Sequence, residues 1–309
     1  MIWRILTIFL FSVKLSFGLT FAWISDTHLE IGRERLADSE RRFSLSSQLL
    51  KAAIAEINRD ASVEFVVLTG DLINDGRTYN LDALLMELAQ LEKPYFVVIG
   101  NNDSSSPGSG FGISKQTFFS AFPNSFLVPG RGYWSRTWRN FLLIGIDGIY
   151  PGEEEIFFTS EFLKWFKGEL QKNSGKKLIL FSHYPPIKLK QFFSQSIQAS
   201  DKNISDFFSL LKQPSKVVGC FSGHLHQALS QRIENINFFV ASALVQYPHV
   251  FYKVTVGESS IKIREKTVAS DIVLKESKAL LEKYFQSHPL QKALFEINSK
   301  HQLEGTHYY

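Results

Sequence analysis

The stretch that decides the fold is TFAWISDTH at residues 20–28. Its apolar first part predicts a buried strand over residues 20–25, because strands covered on both faces are apolar throughout. Asp26 and His28 follow two positions apart, so we expect both side chains to lean toward one spot. Open α/β sheets bind their ligands outside the carboxyl ends of the strands. This stretch therefore predicts a polar site at the end of a buried strand.

Four later runs repeat this pattern of an apolar strand that ends in polar side chains. They are LTGDL with Asp71, VIGNND with Asn101, LFSHYPP with His183, and CFSGHLH with His224 and His226. Apolar residues at helical spacing over 43–59 and 81–91 separate the first three strands. Strands that alternate with helices form parallel sheets, whose carboxyl ends share one edge. We therefore expect the five strand ends to converge on a single crevice.

The remainder of the chain predicts further helices, a hairpin and a second sheet. Helices are expected over 114–121, 159–171, 204–211 and 271–294, the last broken at Pro289, and strands over 228–234, 236–242, 250–256 and 260–267. YWSRTW and NFLLIGIDG, joined through Arg139-Asn140, predict a hairpin and a change to antiparallel strands. Because no linker or repeat divides the chain, these patterns predict one α/β domain of two sheets, with a helical tail across its outside.

The charge balance gives no strong nucleic-acid footprint. The 34 basic and 30 acidic residues leave a formal charge of +4, of which Arg4 and Lys14 contribute +2 from the N-terminal stretch. A balance this small does not indicate a polyanionic partner. Cys220 is the only cysteine, and its place in the apolar run KVVGCF predicts a buried, inert thiol.

Residues 1–18 predict a signal peptide. A short cationic start at Arg4 precedes the nine apolar residues ILTIFLFSV, and small residues follow at Ser16 and Gly18. The apolar run is shorter than the roughly 18 residues that a membrane span needs, which argues against a transmembrane segment. Cleavage after Gly18 would remove the run and leave no stable membrane span. We therefore expect export to the periplasm or the extracellular space. A retained interfacial or membrane anchor is the alternative, since Lys14 interrupts the apolar run.

The side chains at the five strand ends have the chemistry of metal ligands. They are Asp26, His28, Asp71, Asn101, His183, His224 and His226. Carboxylate and amide oxygens combined with imidazoles suit Mn, Fe, Zn or Co, in divalent or trivalent form, better than Ca or Mg. Seven donors exceed the needs of one tetrahedral or open catalytic site. Two ions that share one carboxylate would use all of them.

The blocks DTH, GDL, GNND, SHYPP and GHLH, in this order and spacing, resemble the signature blocks of the calcineurin-like metallophosphoesterase superfamily. LTGDLINDG and PYFVVIGNND are most similar to its class III cyclic nucleotide phosphodiesterase branch. The resemblance implies a four-layer α/β/β/α sandwich of two mixed sheets flanked by helices, in a domain over 19–268 with a C-terminal helical extension over 269–309. It also implies a dinuclear metal centre, in which Asp71 bridges the two ions. One ion would take Asp26, His28, Asp71 and His226, and the other Asp71, Asn101, His183 and His224.

The same resemblance implies a phosphoesterase that attacks a small phosphorylated substrate with a metal-activated hydroxide. Most family members have a histidine after GN, near the leaving oxygen, whereas this chain has Asn102 followed by Asp103. An amide donates a hydrogen bond but delivers no proton at neutral pH. Asn102 and Asp103 are nevertheless the expected catalytic residues. Three explanations would account for asparagine at position 102. The substrate has a good leaving group, another residue such as His249 or Asp103 replaces the acid, or the enzyme is weakened.

Several functions remain open from the sequence. A phosphodiesterase is preferred on the resemblance to the class III branch. A phosphomonoesterase, a nuclease or a phospholipid-headgroup phosphodiesterase of the same fold is an alternative. A weakly active or noncatalytic binding scaffold is a further one, because a retromer subunit that resembles this family serves as a scaffold. The complete ligand set favours an enzyme, and the oligomeric state is not indicated.

Overall fold

The computed structural model describes residues 18–31, 39–104, 112–150, 156–187, 202–212, 216–298 and 303–309. The signal peptide predicted for residues 1–18 lies outside these ranges, apart from Gly18. No helix in the described part of the chain is long and apolar enough to cross a membrane.

The first sheet contains the strand that opens the domain. Its strands are β1 (Leu19–Ile24), β2 (Phe65–Thr69), β3 (Tyr95–Val98), β10 (Val250–Val256), β11 (Ser260–Thr267) and β12 (Gly305–Tyr308). Within the described residues the spatial order is β12-β11-β10-β1-β2-β3. The neighbours β1, β2 and β3 are parallel, as predicted, whereas β10, β11 and β12 add antiparallel pairs. The carboxyl ends of β1, β2 and β3 therefore share one edge.

The second sheet is also mixed. Its strands are β4 (Trp134–Trp138), β5 (Phe141–Ile146), β6 (Lys177–Ser182), β7 (Val217–Ser222), β8 (Leu229–Ile233) and β9 (Ile236–Val240). In the described residues they follow the order β4-β5-β6-β7-β9-β8. The hairpin predicted through Arg139-Asn140 is confirmed as β4 and β5. Within this sheet the predicted change to antiparallel strands holds for the pairs β4–β5 and β8–β9, whereas β5, β6, β7 and β9 run parallel.

Helices flank the two sheets. They are α1 (Ser46–Arg59), α2 (Thr78–Leu88), α3 (Lys115–Ala121), α4 (Ser160–Lys172), α5 (Lys202–Leu211), α6 (Asp271–Ser287) and α7 (Pro289–Asn298), with a 3-10 turn at Phe43–Leu45 before α1. Thr159 caps α4, since its side chain accepts the N–H of Phe162 at 3.1 Å. The break predicted at Pro289 separates α6 from α7, because proline fits the first turn of a helix but not its interior.

Aromatic side chains join the inner faces of the two sheets. Phe21 of β1 contacts Phe181 of β6 and Phe221 of β7, with ring centroids 5.6 and 5.3 Å apart. Trp23 lies 5.1 Å from Phe221 in the next layer of the same core. This core also takes in the apolar face of α1, while a second core joins the outer face of the second sheet to α4 and α5. The result is the four-layer α/β/β/α sandwich expected from the sequence.

Two strand assignments differ from the sequence expectation. The strands predicted over 250–256 and 260–267 form, but they extend the first sheet instead of the second. Leu19 pairs with Val256 and Trp23 with Tyr252, so the chain returns beside its first strand. The tail is helical as expected up to α7 and then adds β12, which pairs with β11. A strand's own residues indicate that it is a strand but not which partner it will find.

Candidate metal centre

The first group of site residues lies where β1, β2 and β7 end. Four side chains offer ligand atoms that all lie within 4.8 Å of one another: those of Asp26, His28, Asp71 and His226. The Nε2 atoms of His28 and His226 are 3.0 Å apart, and Nε2 of His226 is 3.2 Å from Oδ1 of Asp26. Nε2 of His28 is 4.0 Å from the same oxygen, so both ring nitrogens face Asp26. This is the set expected to hold one ion.

Short turns after β1 and β2 are bonded to each other and bring these side chains together. The N–H of Asp26 donates to the carbonyl of Gly70 at 3.1 Å, and the N–H of His28 donates to the carbonyl of Asp71 at 2.9 Å. Asp26, His28 and Asp71 have φ values of 51°, 38° and 49°. Left-handed backbone is uncommon for residues with a side chain and concentrates at functional sites. His224 and His226, with φ of 72° and 54°, share it.

The second group lies where β3, β6 and β7 end. Nε2 of His183 is 3.1 Å from Oδ1 of Asn101 and 3.3 Å from Oδ1 of Asp71. The ring of His224 is centred 5.2 Å from that of His183. Asp71 therefore stands between the two groups, because its other oxygen, Oδ2, is 3.6 Å from Nε2 of His28. Both sheets contribute to each group.

The electrostatics of the crevice suit cation binding. Burial lowers the pKa of His28 to about 3 and that of His224 to about 4, with the charge of His183 adding to the effect at His224. Both imidazoles are then neutral at pH 7, which is the form that binds a metal. Burial raises the pKa of Asp71, but the charge of His183 outweighs it and holds that pKa well below the usual range. Burial lowers the pKa of His183, yet the carboxylate of Asp71 raises it to about 9, so His183 carries a proton at pH 7 that a bound ion would displace.

Glycines leave the space that the ligands occupy. A Cβ on Gly70 would lie 2.7 Å from Nδ1 of His183, and Gly70 also has a φ of 85°. A Cβ on Gly100 would overlap Asp71, and one on Gly223 would overlap Ser25 and Asp26. No side chain fits at these points without moving a ligand. The glycines before the polar strand ends are thus part of the site's construction.

The donor set fits a pair of first-row metal ions. Two carboxylates, one amide oxygen and four imidazoles converge in two groups that share Asp71. Hard oxygen donors mixed with imidazoles are the ligands that such ions prefer. The structure thus brings together all seven residues that the sequence predicted as metal ligands.

Asn102 and Asp103, the two predicted catalytic residues, have different places. The side chain of Asn102 donates to Oδ2 of Asp71 at 2.6 Å and its backbone N–H donates to Oδ1 at 2.8 Å, so it borders the metal centre. Asp103 is fully buried and accepts the N–H groups of Leu72 at 2.7 Å, Ile73 at 3.0 Å and Gly100 at 2.7 Å. Burial, together with the charge of Asp71, raises the pKa of Asp103 to about 7. These bonds make Asp103 a positioning residue that joins the turns after β2 and β3.

His249, considered from the sequence as a replacement acid, has a structural role. Its ring is buried, with Nδ1 2.9 Å from the carbonyl of Leu244 and Nε2 2.8 Å from the hydroxyl of Ser277 in α6. Both nitrogen atoms are therefore engaged. Burial lowers the pKa of His249, which also disfavours a protonated ring at neutral pH.

Sequence reasoning missed several residues that support the ligands. The hydroxyl of Ser25 donates to Oδ2 of Asp26 at 2.6 Å. The hydroxyl of Thr69 lies 2.8 Å from the Ser25 hydroxyl and accepts the indole N–H of Trp23 at 2.9 Å. Such partners orient a ligating carboxylate. A hydroxyl residue directly before Asp26 and another two positions before Asp71 were the available signal. The ring of Tyr184 is centred 4.3 Å from that of His224, so it borders the crevice.

Known proteins resemble this chain in fold and in sequence. A dimetal phosphatase structure from Danio rerio, 17% identical, superposes with a TM-score of 0.64 over 82% of this chain and 97% of that one. A probable glycerophosphodiester phosphodiesterase, GpdQ, of Arcobacter nitrofigilis is 23% identical over 66% of this chain and 70% of its own length. A probable cyclic nucleotide phosphodiesterase of Rhodopseudomonas palustris is 25% identical over 72% of this chain and 77% of its own.

The family model of the calcineurin-like phosphoesterases matches residues 19–228, which contain every predicted ligand. The match extends over more than half of the chain, and the sandwich and the shared Asp71 agree with it. The chain thus belongs to the calcineurin-like phosphoesterase family and is a metal-dependent hydrolase of phosphate esters.

Proposed function

We propose that the protein is a phosphodiesterase that acts on small organic phosphodiesters with two first-row metal ions. The observation that carries the proposal is the position of Asp71, whose two oxygens face His28 on one side and His183 on the other. A carboxylate placed in this way suits a pair of ions about 3.5–4 Å apart. The similarity to proteins named as probable phosphodiesterases supports a diester over a monoester.

The chain's own residues prepare the site for this chemistry. Two ions held by these ligands would supply Lewis acidity toward the phosphoryl oxygens and would lower the pKa of a water molecule. Asn102 holds both oxygens of Asp71 and presents an amide donor beside the crevice. Asp103 keeps the turns that carry Asp71 and Asn101 at a fixed separation. Asn102 has no proton to give, so the site favours substrates whose leaving group departs without general-acid help.

Removal of metal tests the proposed function. We expect the metal-loaded protein to hydrolyse bis(p-nitrophenyl) phosphate faster than p-nitrophenyl phosphate, and a chelator to abolish release of nitrophenol from both. Readdition of Mn, Fe, Zn or Co, each alone, will identify the ions that restore activity. Parallel measurement of bound metal gives the stoichiometry, with two ions per chain expected. A preference for the monoester contradicts the diester proposal, and hydrolysis that resists the chelator contradicts the metal mechanism.

The variant Asn102→His tests the missing proton donor. We expect it to raise turnover on alkyl phosphodiesters about tenfold or more, because general-acid catalysis contributes typically 10²- to 10⁴-fold. Nitrophenyl esters, whose leaving groups need no proton, will gain much less. Asn102→Gln is the matched control, since it keeps an amide and adds no acid. An equal gain on both ester classes, or a loss on both, removes this explanation.

A further inference from the structure

A pocket of about 300 Å³ opens beside the metal ligands His224 and His226. Its far wall is made by α6 and α7, which lie beyond the family match at residues 19–228. Six of its lining residues define this C-terminal pocket: Arg41, His224, His226, Tyr284, Phe285 and Phe295. The pocket therefore joins the metal centre to a part of the chain that the family model does not cover.

Three contacts tie the helical wall to the rest of the domain. The side chain of Gln227, which directly follows His226, donates to the carbonyl of Phe295 in α7 at 3.0 Å. Ser277 of α6 contacts Arg42 at 3.1 Å and His249 at 2.8 Å. Helix α7 is thus attached through Gln227, next to a ligand, and α6 through Arg42, which lies in the loop before α1. The pocket has a defined wall at a fixed place beside the metal centre.

The wall is aromatic. Tyr284, Phe285 and Phe295 are each half-buried, and the rings of Phe285 and Phe295 are 5.1 Å apart. Aromatic rings that are only partly covered by the protein offer area for a planar group to stack or meet edge to face. A volume of about 300 Å³ is at the small end of ligand pockets, which suits one ring system better than a polymer.

The opposite side of the pocket carries the ion pair of Arg41 and Glu40. Arg41 lines it, and its backbone is held by an antiparallel bridge to Gln246, while the neighbouring N–H of Arg42 donates to the carbonyl of Val245 at 2.8 Å. Glu40 lies 3.7 Å from the Arg41 guanidinium. A guanidinium has five N–H donors, so Arg41 can pair with a phosphate oxygen while it contacts Glu40.

We propose that the C-terminal pocket binds the planar organic group of the substrate, an aryl ring or a nucleobase, while its phosphate lies at the metal centre against Arg41. The proposal rests on the proposed phosphodiesterase function and narrows its substrate class. Esters that carry a ring are preferred over compact ones such as glycerol esters, because only a ring uses the wall made by α6 and α7.

Binding of phosphonates and phosphates to the metal-loaded full chain tests this proposal by calorimetry. We expect phenylphosphonate to bind roughly tenfold more tightly than methylphosphonate, since aromatic contacts of this kind are each modest but add to area burial. Phe285→Ala and Phe295→Ala will remove that preference and leave methylphosphonate binding unchanged. Arg41→Gln will weaken both ligands alike. Adenosine 5′-monophosphate distinguishes the two ring classes by its affinity relative to methylphosphonate. If its gain in affinity exceeds that of phenylphosphonate, the pocket binds a nucleobase. If the two gains are equal, the pocket binds a simple aryl group.

Matched controls come from the same helices. Ile272 in α6 and Leu290 in α7 are 72% and 67% exposed and lie outside the pocket, so Ile272→Ala and Leu290→Ala will keep the preference. Phe295→Leu replaces the alanine variant if that variant does not fold. The proposal for the C-terminal pocket is wrong if the wild-type protein binds both phosphonates equally, or if the preference survives both phenylalanine variants. Either result leaves the proposed hydrolysis standing. Failure to bind either phosphonate, with no chelator-sensitive hydrolysis, overturns both.

Discussion

Asp71→Asn will lower kcat/KM on bis(p-nitrophenyl) phosphate by about 10³-fold or more, which corresponds to about 4 kcal/mol of barrier. The carboxylate stands between His28 and His183, with its two oxygens 3.6 and 3.3 Å from their Nε2 atoms. An amide is neutral and offers only one acceptor oxygen, so it cannot serve both ligand groups. Bound metal will therefore fall from two ions per chain to one or fewer. Steady-state kinetics and metal analysis of the same preparation measure both effects.

Asp82→Asn is the matched control for this substitution. Asp82 is exposed on α2, so the same chemical change there will leave kcat/KM and metal content within about twofold, as surface substitutions usually do. Circular dichroism will check that both variants are folded. If Asp71→Asn retains two ions and activity within about threefold of the wild type, the shared-carboxylate centre is wrong.

Gly100→Ala will destabilise the protein by about 1–3 kcal/mol and reduce its metal content, although it removes no ligand. A Cβ at position 100 would overlap the backbone and the Oδ1 atom of Asp71, which is buried and has little room to move. The added methyl group thus acts through the position of Asp71. Denaturant unfolding of the metal-free protein and metal analysis of the loaded protein separate the two consequences.

Gly168→Ala makes the same substitution where space is available. Gly168 is exposed within α4, and a Cβ there would meet no atom within 4 Å. Alanine is favoured over glycine in helix interiors, so this variant will be more stable by about 0.5–1 kcal/mol with unchanged metal content. A Gly100→Ala protein that matches Gly168→Ala in stability and metal content would show that the close packing at Asp71 is not required.

The strand ends were predictable because local sequence encodes them. Each of the five runs is a mostly apolar strand followed within one to four residues by polar ligands, as at Asp26 and His183. The hairpin through Arg139-Asn140 is local too, and it is confirmed. Where the chemistry of a few consecutive residues decides the structure, the sequence was sufficient.

The rest depended on contacts between distant residues. The pairing of β10 with β1 brings Val256 beside Leu19, and no pattern within either strand specifies that partner. Asp103 follows Asn102 directly and looked like a reacting group, yet its bonds to Leu72 and Gly100 became visible only in three dimensions. The role of α6 and α7 was equally hidden, because their apolar residues predicted helices without indicating that one face borders the metal ligands.

The division of the ligands between the two sheets has a thermodynamic consequence. His28 follows β1 and His226 follows β7, and their ring nitrogens meet although they are 198 positions apart in the chain. A cation held by both would be a cross-link between the halves of the sandwich. Separation of the sheets would require release of the cation, so the free energy of unfolding would increase with the metal occupancy of the crevice.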